Sequence, residues 1–246
     1  MIPKIIHHTA PTNTNKWHPI WNRCLDSWKR HFPEPEYVHF MWNDEDLDKL
    51  IHDSYPGFWN LYQSFNCHII KIDFARHAML HLHGGIYADM DLFCYKNFYD
   101  ELDCDTVMLE ALAEDEILQN SMMISSQGNG FMLYCMDECV RNFYAYDERL
   151  GINHYVKDLC GPYHVSRCYK RYPRKIKVLD GARFNPPLHK YEESFVTKHM
   201  LTGLWGKESI DNIVNEVKLE ESYSDFVKIK YLENRGVDLN LSLIHI

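Results

Sequence analysis

Residues 73–91 read DFARHAMLHLHGGIYADMD, and the fold follows from how this run divides. The spacing predicts a helix from Cys67 to His83, with Ile72, Ala75, Met79 and Leu82 on one stripe and Asp73 and Arg76 off it. Gly84-Gly85 ends that helix, because glycine tolerates the positive φ of a helix terminus. Ile86-Tyr87-Ala88 then predicts a short buried strand running into Asp89-Met90-Asp91. In extended chain, residues two apart face the same side, so both carboxylates point to one place at the strand's carboxyl end, where open α/β sheets put their ligands. Carboxylates crowded there repel unless a cation lies between them. Hard oxygen ligands suit Mg²⁺ or Mn²⁺ bridging to a substrate diphosphate. A short turn lays the helix beside the strand, so Asp73 and Arg76, otherwise an ordinary i, i+3 ion pair, can face the same point.

Working outward, Ile2 to His7 predicts an opening strand, Trp21 to Phe32 a helix and Tyr37 to Trp42 a second strand; Asn43 can cap the acidic helix that follows. Further strands are expected at Thr106 to Leu109, Met122 to Ser125, Ile176 to Leu179 and Phe195 to Met200, and a helix at Gly130 to Tyr146. Strands alternating with helices predict an α/β sheet in a single domain over residues 1–246. Asp-x-Asp also occurs at 44/46, 46/48 and 103/105, but the first two fall in a helix's first turn, where acids favour the dipole, and the third in a polar turn.

The chain has 246 residues, 46% apolar and 25% charged, which excludes disordered and collagen-like classes. Its net charge of −9 argues against a nucleic-acid-binding surface. Eight Cys lack any Cys-x-x-Cys pair, and the first residues lack a long apolar run, so reduced thiols in an intracellular compartment are expected. Cys135 and Cys139 share a helical face, with a metal pair as the alternative to packing; His77 and His81, also four apart, read as packing rather than a zinc half-site. Tyr169 to Lys177 (YKRYPRKIK) concentrates basic residues that would suit an anionic acceptor or a peripheral membrane contact. No run approaches the length of a membrane span.

Ile2-Pro3-Lys4-Ile5-Ile6-His7-His8-Thr9, Trp42-Asn43-Asp44, Asp73-x-x-Arg76 and Gly84-Gly85-Ile86-Tyr87-x-Asp89-x-Asp91, in this order, resemble the DXD-motif sugar transferases of glycosyltransferase family 32. That family includes the yeast initiating α-1,6-mannosyltransferase, and the spacing is also similar to the glucosylating domains of large clostridial toxins. The resemblance is dense over residues 1–97. It implies a GT-A fold, a Rossmann-like mixed sheet flanked by helices, with a nucleotide-sugar-binding half at 1–97 and an acceptor side with a closing segment at 98–246.

The resemblance also implies roles. Asp89 would contact the ribose and, through water, the metal, and Asp91 would ligate Mn²⁺ or Mg²⁺ directly. Asp73 and Arg76 would hold the donor sugar, with Arg76 near the diphosphate; Tyr87 would pack against the nucleotide, Thr9 would line the base pocket and Asn120 would lie at the sugar. Lys198-His199-Met200-Leu201-Thr202-Gly203-Leu204-Trp205 resembles the family's closing segment, which makes His199 a metal ligand or phosphate contact and Trp205 an indole donor to the leaving diphosphate. The chain differs in reading His8-Thr9-Ala10 where Gln-Thr-Trp is usual and Cys160-Gly161-Pro162 where Thr-Gly-Pro is usual.

The expected activity is metal-dependent, retaining transfer of a hexose from a nucleotide diphosphate sugar, UDP-hexose ahead of GDP-mannose, to a glycan, lipid-linked or protein hydroxyl. The rival readings are a metal-dependent phosphoesterase and a non-catalytic glycan- or nucleotide-binding module. The expected setting is the cytoplasm of a bacterium or a virus-infected host, or a lumen if an anchor preceded this sequence.

Overall fold

The computed structural model describes residues 1–111, 118–145, 152–186 and 192–200. The chain begins with strand β1 (Ile5–Thr9), helix α1 (Pro19–His31), strand β2 (Val38–Trp42), helices α2 (Asp44–Ser54), α3 (Trp59–Ser64) and α4 (His68–His83), and strands β3 (Gly85–Ala88) and β4 (Leu92–Cys94). It continues through β5 (Thr106–Glu110), β6 (Leu118–Ser125), α5 (Gly130–Ala145), α6 (Ile152–Leu159), α7 (Pro162–Arg171), β7 (Lys177–Leu179), α8 (Gly181–Phe184) and β8 (Thr197–His199).

Local chemistry accounts for the helix boundaries. Pro19 occupies the first turn of α1, where no N–H is needed, and the His18 ring accepts from the Ile20 N–H at 3.2 Å. Asn43 caps α2 as expected, in a capping box with Asp46, and Asp44, Glu45 and Asp46 line its positive end. Gly84 stops α4 with φ +66° and Gly85 follows at φ +102°. A Cβ on Gly85 would stand 2.5 Å from the Ile5 carbonyl oxygen, so β3 approaches β1 only because the side chain is missing.

Six strands form one mixed sheet in the order β2-β1-β3-β6-β5-β7. Strand β1 runs parallel to β2 and β3, β6 is antiparallel to β3 and β5, and β5 is parallel to β7. The chain leaves β1 to one side for β2 and returns to the other side as β3, which makes the carboxyl ends of β1 and β3 a topological switch point. Side chains alternate between two cores. Tyr87, Met108 and Met123 face α2, α4, α5 and α7, while Ile86, Ala88, Val107, Leu109 and Ile124 face Trp28 of α1, Phe32 just past its end and Phe184 of α8.

Two expectations need correction. Helix α4 has no single apolar stripe: Ile70 and every residue from Asp73 to Leu80 are buried, because the sheet covers one side and α2, α5 and α6 the others. Asp73 and Arg76 therefore lie in the interior. The Asp89-Met90-Asp91 segment is a tight turn, not extended chain, closed by the Leu92 N–H donating to the Asp89 carbonyl at 3.0 Å. Helices α6 and α7, over a stretch for which the sequence predicts no element, pack their apolar residues against α5 and β6. Among the described residues no helix is long and apolar enough to cross a membrane.

Candidate active site

The switch point gathers most of the residues singled out by sequence. From α4, the buried Arg76 guanidinium lies 3.0 Å from Asp73 Oδ1 through Nη1 and 2.9 Å from Asp89 Oδ1 through Nη2. Its Nη1 also donates to the Asn120 carbonyl at 3.1 Å, and the Asn120 amide donates to Asp73 Oδ1 at 3.1 Å. Alternation on β3 turns Tyr87 to the α4 side, where its hydroxyl donates to Asp89 Oδ1 at 2.6 Å and stands 3.0 Å from Thr9 Oγ1. The Arg76 guanidinium lies 4.7 Å from the centre of the Tyr87 ring. Thr9, Asp73, Arg76, Tyr87, Asp89 and Asn120 thus form one network at the ends of β1 and β3.

Tyr87 lies deeper than a residue packed against a nucleotide would be expected to lie. Its ring is fully buried, so it offers no face to a nucleotide and instead props Asp89 from below. Arg76 is likewise spent on two carboxylates and a carbonyl, which fits a residue that orients the site.

The turn sends β4 away from the main sheet to pair with β8, in a register that sets Leu92 opposite His199. His199 Nε2 lies 3.0 Å from Asp91 Oδ1, and the Met200 N–H donates to the Asp91 carbonyl at 2.8 Å. One atom each from Asp89, Asp91 and His199 lie within 4.8 Å of one another. His199 Nδ1 is buried with no hydrogen-bond partner. Two carboxylates and an imidazole at this spacing fit a divalent cation such as Mn²⁺ or Mg²⁺, with positions left for substrate oxygens. Trp205 and the rest of the closing segment after Met200 lie outside the described residues.

The electrostatics follow from burial. Desolvation pushes the Asp73 carboxyl up to about 6 against the pull of Arg76 and Asn120, and raises Asp89 against the pull of Arg76. Burial lowers the His199 imidazole, but Asp91 and then Asp89 outweigh it and raise it overall. Burial likewise opposes the charge of Arg76, and its carboxylate neighbours, Asp89 first, hold the guanidinium protonated. The cluster carries more negative than positive charge, as a cation site requires.

Two supports were not legible in the sequence as such. The His8 Nδ1–H donates to the Ala88 carbonyl at 2.8 Å and the Trp28 indole N–H to the Leu92 carbonyl at 2.7 Å, so the two rings clamp the backbone on either side of the turn. His8 stands where the resemblance leads one to expect Gln, and it performs a backbone contact that an amide could also make. His7 holds the Gly84 carbonyl through Nε2–H and accepts from the Trp42 indole at Nδ1. His77 and His81 do not meet at a metal: His81 pairs with the Tyr55 hydroxyl at 2.7 Å, and His77 turns into the core.

Residues 19–124 match the family model described as "Glycosyltransferase sugar-binding region containing DXD motif". The chain is 32% identical over 143 residues to inositol phosphoceramide mannosyltransferase 3 of Schizosaccharomyces pombe, an alignment covering 57% of this chain and 37% of that one. It is 27% identical over 177 residues to a mannosyl phosphorylinositol ceramide synthase of Saccharomyces cerevisiae, covering 71% of this chain and 44% of that one. The chain therefore spans less than half the length of either relative. Among solved structures, PaToxG glycosyltransferase superposes with a TM-score of 0.53 at 18% identity, with 70% of each chain covered, and this likeness supports a GT-A fold. The stretch that matches the family model, residues 19–124, holds Asp73, Arg76 and the Asp89-Met90-Asp91 turn, so the similarity to DXD-motif glycosyltransferases falls on the residues that form the site.

Proposed function

We propose that this protein is a metal-dependent glycosyltransferase that moves a hexose from a nucleotide diphosphate sugar to a hydroxyl acceptor. The convergence of Asp89, Asp91 and His199 beside the Asp73–Arg76–Asn120 network carries this reading. Asp91 and His199 would hold the cation directly and Asp89 would share it while facing the donor. The cation supplies charge neutralisation for the departing diphosphate. Arg76 holds Asp73 and Asp89 in one orientation, and Asp73 and Asn120 would bind sugar hydroxyls. Trp205 would donate from the closing segment to the diphosphate. No further carboxylate stands out as a nucleophile, so retention by attack on the donor's front face, with a donor phosphate oxygen taking the acceptor proton, is the mechanism that suits these groups.

The fungal relatives are named as mannosyltransferases, and this turns the donor toward a mannosyl nucleotide, against the UDP-hexose that motif spacing favours. Their acceptors are phosphoinositol lipids by name, which favours an anionic head group approached through the exposed Lys170, Arg174 and Lys175.

The test is a thermal-shift screen of GDP-mannose and UDP-hexoses with and without Mn²⁺, followed by product analysis of the donor that binds. Metal-dependent release of a nucleoside diphosphate with free or transferred sugar, lost in Asp91→Asn, supports the proposal. Release of a nucleoside monophosphate would make the protein a phosphoesterase. Metal-dependent binding with no turnover on an acceptor panel would make it a binding module.

A further inference from the structure

A second group of metal-ligand side chains lies in the core behind the site, where α4, α5 and α7 meet. His77, Cys135 and His164 are buried and each offers one ligand atom, all within 4.8 Å of one another. Cys168 adjoins them: its Sγ is 3.6 Å from His164 Nε2, and its thiol shares a hydrogen bond with that of Cys135. His164 and Cys168 are four apart on α7, so both present to the same point.

The state of His77 sets this group apart from an ordinary packed core. Its ring is fully buried, and neither nitrogen makes a hydrogen bond of ordinary geometry. A neutral imidazole carries one donor and one acceptor, and leaving them unmade in a dry core is costly. The Cys160 carbonyl faces this ring and can take its N–H, which leaves a lone pair directed at the cluster. By contrast His164 is held on both sides, by the Cys135 carbonyl at 2.9 Å and the Asn142 amide at 3.0 Å. One of those two contacts, most simply that to Asn142, would be exchanged for a cation.

We infer that His77, Cys135, His164 and Cys168 form a structural zinc site that ties α4, the helix bearing Asp73 and Arg76, to α5 and α7. Two imidazoles and two thiols are the donor set that soft-tolerant, tetrahedral Zn²⁺ takes, and that the hard cation at Asp89 and Asp91 avoids. A tetrahedral zinc holds its ligand atoms about 3.3–3.8 Å apart, so the His77, Cys135 and His164 atoms need to draw together by about 1.5 Å at most. Binding would release both thiol protons, and the dication with two thiolates is neutral, which suits a site with no exposed charge. The site is independent of the proposed transferase reaction.

The experiment is metal analysis of the full-length purified protein after dialysis against EDTA. About one zinc per chain is expected to remain, to persist in Asp91→Asn, and to fall to near zero in Cys135→Ser and Cys168→Ser. Replacement by Co²⁺ is expected to give thiolate-to-cobalt charge transfer with intense tetrahedral d–d bands. A folded wild-type chain that retains no zinc and shows no thiolate band with Co²⁺ overturns the proposal, and so does full zinc content in folded Cys135→Ser. Because the wild-type measurements stand alone, a variant that fails to fold leaves the proposal open to refutation.

Discussion

Arg76 Nη2 on helix α4 stands 2.9 Å from Asp89 Oδ1 at the end of β3, so one guanidinium spans the gap between a helix and the first carboxylate of the motif. The same fork reaches Asp73 at 3.0 Å. Removing it strands two carboxylates in a dry interior. Arg76→Ala is expected to lower stability by about 3–5 kcal/mol, measured by denaturant unfolding. Adding Asp73→Asn should recover part of that loss, since one of the stranded charges is gone. Strictly additive losses in the double variant would show that the pair is not coupled.

His199 meets Asp91 at 3.0 Å from a separate two-stranded sheet. As a ligand in the proposed metal site, its ring would add to metal affinity from outside the main sheet. His199→Asn is expected to raise the Mn²⁺ concentration for half-maximal donor turnover about 10–100-fold, with little change in the unfolding midpoint. An unchanged metal requirement would leave His199 as a plain partner of Asp91.

Gly85 is the position where β3 touches β1. With φ +102° and a would-be Cβ 2.5 Å from the Ile5 carbonyl oxygen, Gly85→Ala clashes with backbone that cannot yield. A loss of more than about 2 kcal/mol is expected in equilibrium unfolding, whereas Gly57→Ala, with open space around it, should change stability by less than about 1 kcal/mol.

Acid should destabilise the fold well before its carboxylates would suggest. Burial lowers His7 to about 4 and His8 to about 3, from an ordinary 6.5. The unfolded chain therefore binds protons that the native one refuses as pH falls below 6.5, and the penalty grows until the folded values are reached. At pH 5 it is about 2 kcal/mol for each ring. Asp73 works the other way: raised to about 6 from 3.8, it takes a proton first in the native state, which by pH 5 returns about 1.4 kcal/mol. The two histidines outweigh it. The thermal midpoint is expected to fall between pH 7 and pH 5, less steeply in His8→Gln; a midpoint that rises on acidification would contradict this balance.

Much of the site was legible in one dimension because its parts are local. A helix, a glycine pair, a short strand and two aspartates in nineteen residues constrain one another, and the capping chemistry of Asn43 and the positive φ of Gly84 follow from residue type alone. Asn120 and His199 entered only through the family resemblance, and the fold brings Asn120 to Asp73 and His199 to Asp89 and Asp91.

What only the tertiary structure decided is what each side chain is spent on. Periodicity reports which residues are apolar, not how many neighbours surround a helix, so α4 read as amphipathic while its charged pair is interior. Tyr87 reads in one dimension as a residue that could stack on a ligand; in the fold its ring lies beneath Arg76 and its hydroxyl donates to Asp89. The His8 and Trp28 clamp and the His77–Cys135–His164–Cys168 cluster join residues up to 91 positions apart, and no local rule of spacing connects them. The sequence determined the chemistry available at the carboxyl end of β3. Packing α2, α4, α5 and α7 over one face of the sheet decided which of those groups face one another in a medium dry enough for their charges and lone pairs to matter.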